Sequence, residues 1–310
     1  MRSDGKVVKN VDPMYTLAPY FMRRRSDSQN MITIRVPYAD VHKYVLDARK
    51  RGHKISHLTV FVAAFLRTVS QYNQLNRFVS NSKIYAHNDF TVAMVVLRAG
   101  GGDPSMSKVS FDLYDTIFDV NDKLNAFIEE NNKADSNTST DKLFKTLLKL
   151  PFLVRIGMAF FRMADHFGWL PKSLLNLSPF HNTMVVTNLA SIRSNYIYHH
   201  VYDFGTTSYI AAIGNTEDVP YEKDGEVHLK KMIPIGFVMD ERIASGSYYV
   251  RAFSHLEKYL KDPTVLEVPP ETVNVDYPFE GLSERFKSEK TKEKERRKAE
   301  KKAKKQAKNK

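Results

Sequence analysis

The chain has 310 residues, 42% of them hydrophobic, which is enough for one substantial core. Its formal net charge of +12 is concentrated near the C-terminus, because residues 284–310 hold 14 Lys or Arg against 5 Glu. The rest of the chain is nearly neutral, which excludes a polyanion-binding charge spread evenly over the protein. The absence of cysteine excludes disulfides, a thiol nucleophile and thiolate metal ligands, and it fits a cytoplasmic protein.

No membrane-spanning or secretory segment is predicted. The N-terminus has no apolar run after its first charges, so we expect no signal peptide. The most apolar stretch, Leu143 to Leu170, is interrupted by Pro151 and carries several charged side chains, which are costly in hydrocarbon. A membrane-surface or substrate-lid role is possible for this stretch, but packing in the core or in a subunit interface is the commoner explanation.

Elements alternate along the first half of the chain without a strict βαβ rhythm. Alternating apolar side chains predict a strand at 31–37, and helical spacing predicts a helix at 39–51 that ends at Gly52. The segment 56–72 is apolar on nearly all sides and predicts a buried helix. Strands follow at 77–80 and 90–97, with a glycine turn at 100–104.

The second half is predicted in the same way. A polar-faced helix spans 115–132 and a turn-rich loop spans 134–140. Strands are expected at 182–188, 207–214 and 227–240, the last preceded by the hairpin signal Asp224-Gly225. A helix at 247–260 ends at Asp262-Pro263. This mixture predicts an α/β fold, a two-layer sandwich with a mixed β-sheet, in a domain at 1–281 followed by a Lys-rich low-complexity tail at 282–310.

Residues 233–263 contain a core strand that runs into Asp240-Glu241-Arg242 and then, through Ser245-Gly246, into a helix. This region resembles the motif region of the chloramphenicol acetyltransferases and of the 2-oxoacid dehydrogenase acyltransferase catalytic domains. There the strand runs into D-H-R-x-x-D-G or H-H-x-x-x-D-G. Glu241 stands at the position of the motif histidine and Ser245 at that of the aspartate, so the motif is altered.

Three further segments support the resemblance, which covers most of residues 20–265. Residues 182–189 resemble the family's S/T-F-T-x-S-N-L strand, 206–214 a second strand, and 54–79 the buried helix with the segment after it. The resemblance implies the trimeric fold of CoA-dependent acyltransferases. The family's lipoyl and peripheral subunit-binding domains have no counterpart before Met31, so we expect a stand-alone form.

The resemblance also implies roles for individual residues. The family's imidazole takes the proton of the acceptor, and a carboxylate such as Glu241 is a base weaker by about two pKa units unless its surroundings compensate. Otherwise Glu241 is a surface carboxylate or an ion-pair partner of Arg242. Ser245 lacks the charge with which the motif aspartate binds an N-terminal arginine, so the cluster Arg23, Arg24 and Arg25 needs another partner. Gly246 is expected to permit the tight turn from strand to helix.

Two more side chains are candidates. Thr183 occupies the place of the family's hydroxyl that binds the developing oxyanion, and the alternative is an ordinary strand threonine. His199-His200 imitates the motif histidines but precedes a strand instead of a helix. His200 is therefore a candidate displaced base near Glu241, or a histidine satisfied by backbone hydrogen bonds. Adjacent strand residues point to opposite faces, so no metal site is predicted.

The expected function is transfer of an acyl group between a CoA thioester and a hydroxyl or thiol acceptor, in a homotrimer with shared active sites. The alternative is a catalytically inactive scaffold that binds CoA or a partner protein. A nucleic-acid-associated protein acting through its tail is the third hypothesis. The tail has no aromatic residue after Phe286 for base stacking, so no specific nucleic-acid partner is predicted.

Overall fold

The fold is known from a computed structural model that describes residues 2–9, 11–96, 105–133 and 151–277. The predicted turn at 100–104, the loop at 134–140, the domain boundary at 281 and the Lys-rich tail lie outside the described residues. The division into a domain and a tail therefore stays a prediction.

The described residues form ten strands and seven α-helices. The strands are β1 (Gly5–Val7), β2 (Gln29–Pro37), β3 (Arg77–Ser80), β4 (Lys83–His87), β5 (Phe90–Val96), β6 (Ser105–Phe111), β7 (Met184–Asn188), β8 (Tyr209–Ile213), β9 (Glu217–Lys223) and β10 (Glu226–Asp240). The helices are α1 (Pro13–Phe21), α2 (Tyr38–Lys50), α3 (His57–Gln71), α4 (Ile117–Lys133), α5 (Pro151–Phe167), α6 (Lys172–Leu177) and α7 (Gly246–Lys261).

A seven-stranded mixed sheet forms the centre of the fold. Its order is β2-β10-β8-β7-β5-β6, and β9 pairs with the first part of β10. β7 runs parallel to β5 and to β8, whereas the other pairs are antiparallel. A separate antiparallel sheet has the order β1-β4-β3. The predicted mixed sheet is confirmed, and the parallel strands are its central ones, which explains their continuous runs of apolar residues.

Helices α2, α3, α4 and α7 cover one face of the main sheet. α3 is central to this layer, and twelve of its fifteen residues are buried, as its uniformly apolar sequence predicts. Its first turn is capped by Ser56, whose hydroxyl accepts a hydrogen bond from Thr59 N. The rings of Phe61 and Phe65 lie about 6 Å from that of Phe237 on β10, so this contact joins the helix layer to the sheet.

The opposite face of the sheet is covered by an irregular segment, residues 194–207. Val201 packs with Ile210 and Val238 in a second apolar cluster on that face. Tyr196 lies over Gly236, where an added Cβ would meet its ring at 2.7 Å. His199 and His200 belong to this irregular segment and precede β8, which begins at Tyr209.

Most predicted elements are confirmed within two or three residues at either end. The hairpin signal is also confirmed, because Asp224 and Gly225 have φ of +55° and +81° and join Lys223 to Glu226. Residues 151–167 form a helix that begins at Pro151, the residue at which the apolar stretch is interrupted. The expectation that this helix packs in the core is wrong, since only Ala164 and Asp165 of its residues are buried. Packing in a subunit interface stays a prediction. Within the described ranges, no helix is both long enough and apolar enough to cross a membrane.

Candidate functional site

The bend that follows β10 is held by a buried carboxylate. Asp240 has no solvent exposure, and both of its oxygens accept hydrogen bonds from the guanidinium of Arg242, at 2.8 and 2.7 Å. The backbone N of Arg242 and the hydroxyl of Ser28 donate to the same carboxylate. Tyr249 on α7 donates to the carbonyl of Asp240, so the strand end, the bend and the next helix are tied together.

Arg25 is the second cation at this carboxylate. Its Nε lies 3.4 Å from Asp240 Oδ2, and the side chain is almost fully buried. Its terminal nitrogens donate to the carbonyls of Tyr202, Gly205 and Val79. Arg25 therefore finds the partner that Ser245 cannot provide, and it joins the N-terminal segment to the irregular segment 194–207.

Charge and burial oppose each other in this cluster. Burial works to raise the pKa of Asp240, but the hydrogen bonds and charge of Arg242, with the charge of Arg25, hold it below its ordinary value. Burial lowers the pKa of Arg25 despite the opposing effect of Asp240. The carboxylate is therefore ionised at neutral pH, and the cluster acts as a rigid support for the bend rather than as a proton carrier.

Glu241 is the next residue and has a different environment. Its backbone N donates to the carbonyl of Ser28, whereas its half-buried side chain has no hydrogen bond or ion pair within the described part of the chain. The predicted ion pair with Arg242 is wrong, because Asp240 occupies that guanidinium. The bend thus fixes the backbone of Glu241 and leaves its carboxylate free to bind another group.

Ser245 and Gly246 begin α7. The Ser245 hydroxyl accepts a hydrogen bond from Tyr248 N at 3.1 Å, so this residue is the N-cap of the helix. An added Cβ at Gly246 would have no atom within 4 Å, and its φ is not positive. The expectation that the turn requires glycine is wrong, because any residue fits the first helical position here.

Thr183 lies at the same end of the sheet as Glu241. Its backbone carbonyl accepts a hydrogen bond from Ser208 N, and the carbonyl of Ser208 accepts one from Asp240 N. Two strand spacings, about 10 Å, therefore separate the backbones of Thr183 and Asp240. The Thr183 hydroxyl is fully buried and donates to Asn76 Oδ1 at 2.7 Å, so its hydrogen is already used.

His200 is exposed on the irregular segment. Its ring stacks on that of His199 with centroids 5.1 Å apart, and it also contacts Tyr202. The described structure gives His200 no hydrogen bond through its side chain and no contact with Glu241. The structure therefore does not join the two candidate bases within one chain.

A cationic cleft of about 880 Å³, which we call cleft B, lies beside the bend. Arg242 lines it, although Glu241 does not, and α1, α5 and the turn between β3 and β4 form its walls. Five arginines line cleft B, and they outnumber its carboxylates even when the neighbouring Asp240 is counted. They are Arg23, Arg24, Arg25, Arg162 and Arg242. Arg23 and Arg24 are exposed, so cleft B provides charges that suit a phosphorylated ligand.

A second cleft of about 390 Å³, which we call cleft A, lies at the opposite end of the same strands. Apolar side chains of β2, β8 and β10 form its floor, and Lys231, Asn188 and Asn215 lie at its rim. His57 also lines it, and its ring stacks on those of His42 and Tyr38. Burial, followed by the charge of His42, lowers the pKa of His57. Cleft A fits an elongated apolar ligand with a polar end.

Sequence reasoning missed several residues of this region. The contacts of Ser28, Asn76 and Asp203 depend on segments that meet only in the folded chain, so no local pattern assigns them a role. Asp203, for example, accepts hydrogen bonds from the backbone N and hydroxyl of Ser26 beside the arginine cluster. The three consecutive arginines were the available signal, but it could not show that Arg25 alone is buried.

Comparison with solved structures identifies the fold as chloramphenicol-acetyltransferase-like. A probable dihydrolipoamide acetyltransferase from Listeria monocytogenes 4b F2365 is 11% identical, with 82% of this chain and 93% of that chain covered and a TM-score of 0.53. The cubic core of a pyruvate dehydrogenase multienzyme complex is 12% identical, covering 84% and 93%, with a TM-score of 0.52. A chloramphenicol acetyltransferase is 10% identical, covering 83% and 99%, with a TM-score of 0.50.

The family comparison points to the same group. Residues 180–268 match the catalytic domain of the 2-oxoacid dehydrogenases acyltransferase family. This match contains β7, the irregular segment, strands β8 to β10, the bend with Glu241 and α7. The resemblance seen in the sequence is therefore confirmed. A search of curated protein sequences gave no match.

Proposed function

We propose that this protein is a CoA-dependent acyltransferase that moves an acyl group between a CoA thioester and a hydroxyl or thiol acceptor. The observation that carries the proposal is the Glu241 carboxylate. It lies within the residues that match the catalytic-domain family, where the resemblance places the motif histidine. The bend that carries it is held rigid by Asp240, Arg242 and Arg25, and Glu241 has no partner of its own among the described residues. A base held in this way needs no rearrangement before it binds an acceptor.

In the proposed reaction, Glu241 accepts the proton of the acceptor hydroxyl or thiol as its oxygen or sulfur attacks the thioester carbonyl. The carbon–sulfur bond then breaks, and the proton passes from Glu241 to the departing thiolate, so that free CoA leaves. Thr183 contributes to oxyanion binding only if its hydroxyl leaves Asn76. The backbone distance of about 10 Å between the two positions favours a site completed by a neighbouring protomer, in a cytoplasmic homotrimer.

The charges of cleft B support the binding of CoA. The exposed guanidiniums of Arg23 and Arg24 lie at the end of the sheet that carries the bend, and they suit the phosphates of a nucleotide. Cleft A is the other place for the donor, with an apolar floor and Lys231 at the rim. Substitution distinguishes the two clefts. Arg24→Ala is expected to raise the KM for acetyl-CoA about tenfold, while Lys231→Ala leaves it unchanged; the reverse result assigns the donor to cleft A.

Turnover tests the base. The full chain is incubated with acetyl-CoA and a panel of small hydroxyl and thiol acceptors, and free-thiol release is measured. Glu241→Gln keeps the shape of the side chain but removes the base, so kcat is expected to fall about a hundredfold or more. His200→Ala is the matched control and is expected to keep the wild-type rate. If His200→Ala abolishes turnover and Glu241→Gln does not, the base is misassigned.

One observation favours a second function, a catalytically inactive scaffold that binds CoA or a partner protein. The Thr183 hydroxyl already donates to Asn76, and Glu241 stands where the resemblance places a histidine, so neither group has the state that the family's chemistry requires. Isothermal titration with CoA separates the two functions. Binding without thiol release for any acceptor supports the scaffold, whereas release that depends on Glu241 excludes it.

A further inference from the structure

Helix α5 exposes a continuous apolar stripe. At 100° per residue, six of its seven large exposed apolar side chains fall within an arc of about 100°, and Met158 lies outside it. The six are Phe152, Leu153, Ile156, Phe160, Met163 and Phe167. Phe152 is 72% exposed and Phe160 is 60% exposed, so these side chains do not pack on the described part of the chain. Such a stripe needs a partner other than the described residues.

The orientation of the stripe is fixed by a buried clamp at the end of α5. Asp165 lies on a different side of the helix and accepts a hydrogen bond from Arg2 at 2.7 Å. His181 Nε2 lies 3.2 Å from the same carboxylate oxygen. Burial works to raise the pKa of Asp165, but the hydrogen bond of His181 and the charge of Arg2 lower it to about 2. The clamp therefore persists at neutral pH and prevents the helix from rotating its apolar stripe inward.

The apolar surface extends beyond α5. The ring of Phe167 stacks on that of Trp169 at 4.9 Å, and Trp169 is 63% exposed. Helix α1 exposes a second apolar stripe that consists of Met14, Leu17, Tyr20 and Phe21. Tyr20 of α1 and Arg162 of α5 both line cleft B, so the two helices border the same cleft. We call the exposed apolar side chains of these helices, with Trp169, the α1/α5 face.

The charged side chains that α5 exposes at the α1/α5 face are all positive. Arg155 and Arg162 are exposed beside the apolar stripe, and neither has an acidic partner within the described residues. The helix has a single carboxylate, Asp165, which the clamp neutralises. Arg23 and Arg24 add exposed cations immediately after α1. Aromatic and aliphatic side chains flanked by arginine are typical of helices that lie in the interface of an anionic bilayer.

We propose that the α1/α5 face docks on the surface of an anionic membrane, with the apolar stripes in the acyl region and Arg155 and Arg162 at the lipid headgroups. A second copy that met the face with the same surface would place these arginines against each other. The copies of a homotrimer meet through two different surfaces, and that occupant is tested by sedimentation below. An anionic membrane supplies both the apolar phase and the opposite charge. This docking does not depend on the proposed acyl transfer.

Trp169 provides a direct test because it is the only tryptophan of the chain. The full chain is mixed with vesicles of phosphatidylcholine, with or without about one third phosphatidylserine, and vesicle partition and Trp169 emission are measured. Binding to the anionic vesicles with a blue shift of the emission is expected, and about tenfold weaker partition to the neutral ones. No binding to anionic vesicles, or binding without a blue shift, overturns the proposal.

Matched variants separate the α1/α5 face from the Lys-rich tail. Phe152→Ser with Phe160→Ser is expected to weaken partition about tenfold, whereas Val250→Ser with Leu229→Ser, which are similarly exposed elsewhere, leaves it within about twofold. Equal partition of the Phe152/Phe160 variant and the wild type assigns binding to the tail and overturns the proposal. Equal losses in both variants overturn it as well.

Sedimentation without lipid tests whether a second copy of this chain, instead of a membrane, covers the α1/α5 face. The Phe152/Phe160 variant is expected to keep the mass of the wild-type assembly. A smaller assembly shows that the face joins copies of this chain and overturns the membrane proposal. If the variant does not fold, the blue shift of Trp169 in the wild type and its quenching by brominated lipid decide the question.

Discussion

Replacement of Asp240 by Asn tests the buried support of the bend. Asp240 is fully buried and accepts two hydrogen bonds from the Arg242 guanidinium, with further contacts from Arg242 N, Ser28 and Arg25. Asparagine keeps one oxygen but places an NH2 group against a guanidinium and leaves two buried cations without a counter-charge. Removing one partner from a buried ion pair typically costs about 3–5 kcal/mol, which corresponds to a fall in Tm of roughly 10 °C.

Urea unfolding of the Asp240→Asn variant, followed by far-UV circular dichroism, gives the free energy of unfolding. Glu241→Gln is the control, since its half-buried carboxylate has no partner among the described residues, and a change within about 0.5 kcal/mol is expected. A loss below about 1 kcal/mol for Asp240→Asn, or an equal loss for Glu241→Gln, would refute the assignment of the buried support to Asp240.

The difference in stability between the wild type and the Asp240→Asn variant has a defined pH dependence. The pKa of Asp240 is lower in the folded chain than its ordinary value. Its contribution is therefore fully present above the unfolded pKa of about 3.9 and is lost as the pH falls through the folded value. The difference in stability between wild type and Asp240→Asn should accordingly be constant from pH 7 to 5 and shrink below pH 4. A difference that grows below pH 4 would contradict this reasoning.

Three further predictions concern the elements around the site. Ser245→Ala removes the N-cap of α7 and should cost about 1 kcal/mol in urea unfolding, while Ser245→Asp keeps the cap and the stability; equal losses would contradict the capping role. Gly205→Ala should lower the free energy of unfolding by about 2–4 kcal/mol, since φ is +88° and the new Cβ would lie 2.1 Å from a backbone oxygen. Gly225→Ala, where φ is +81° but the space is open, should lower it by about 1–2 kcal/mol. Similar losses in the two variants would show that crowding at Gly205 does not matter. Asp165→Asn should lower the free energy of unfolding by roughly 2 kcal/mol at pH 7 and by much less at pH 2, because the pKa of Asp165 is about 2 when folded; an equal loss at both values would show that the clamp does not depend on the charge.

Much of the fold could be predicted because its signals are local. The apolar run of α3, the hairpin signal Asp224-Gly225 and the strand-to-helix pattern of β10 and α7 each depend on neighbouring residues, and each is confirmed. β6 and β9 were missed, and so were β1 and β4 of the separate small sheet, although β3 of that sheet was predicted. The pairing of β1 with β4 joins residues about 80 positions apart, which no local pattern records.

The candidate site could be predicted only in part. The motif pattern located Asp240, Glu241 and Ser245 correctly on a strand end and a helix start. It could not show that Arg242 binds Asp240 instead of Glu241, because hydrogen-bond partners depend on side-chain direction after the bend. Nor could it show that Thr183 donates to Asn76, since that contact joins positions 107 residues apart.

The exposed stripe of α5 shows a further difficulty. The apolar spacing of Phe152, Ile156 and Phe160 is the same for a helix in a core and for a helix on a membrane. Only the position of the anchored side, fixed by Asp165 and its partners, shows that the stripe points away from the body. The periodicity of the sequence is thus enough to predict helix α5, whereas the direction in which its apolar stripe points follows only from the contacts of the buried Asp165.

A structure of the protein with bound acetyl-CoA tests the central claim most directly. The measured quantity is the distance from the thioester sulfur to the nearest Glu241 carboxylate oxygen, in the same protomer or a neighbouring one. If Glu241 is the base, the thioester lies in contact with the bend, and an acceptor atom between them fits within hydrogen-bond reach of the carboxylate. A thioester bound on the far side of the sheet from every copy of Glu241 would contradict the account.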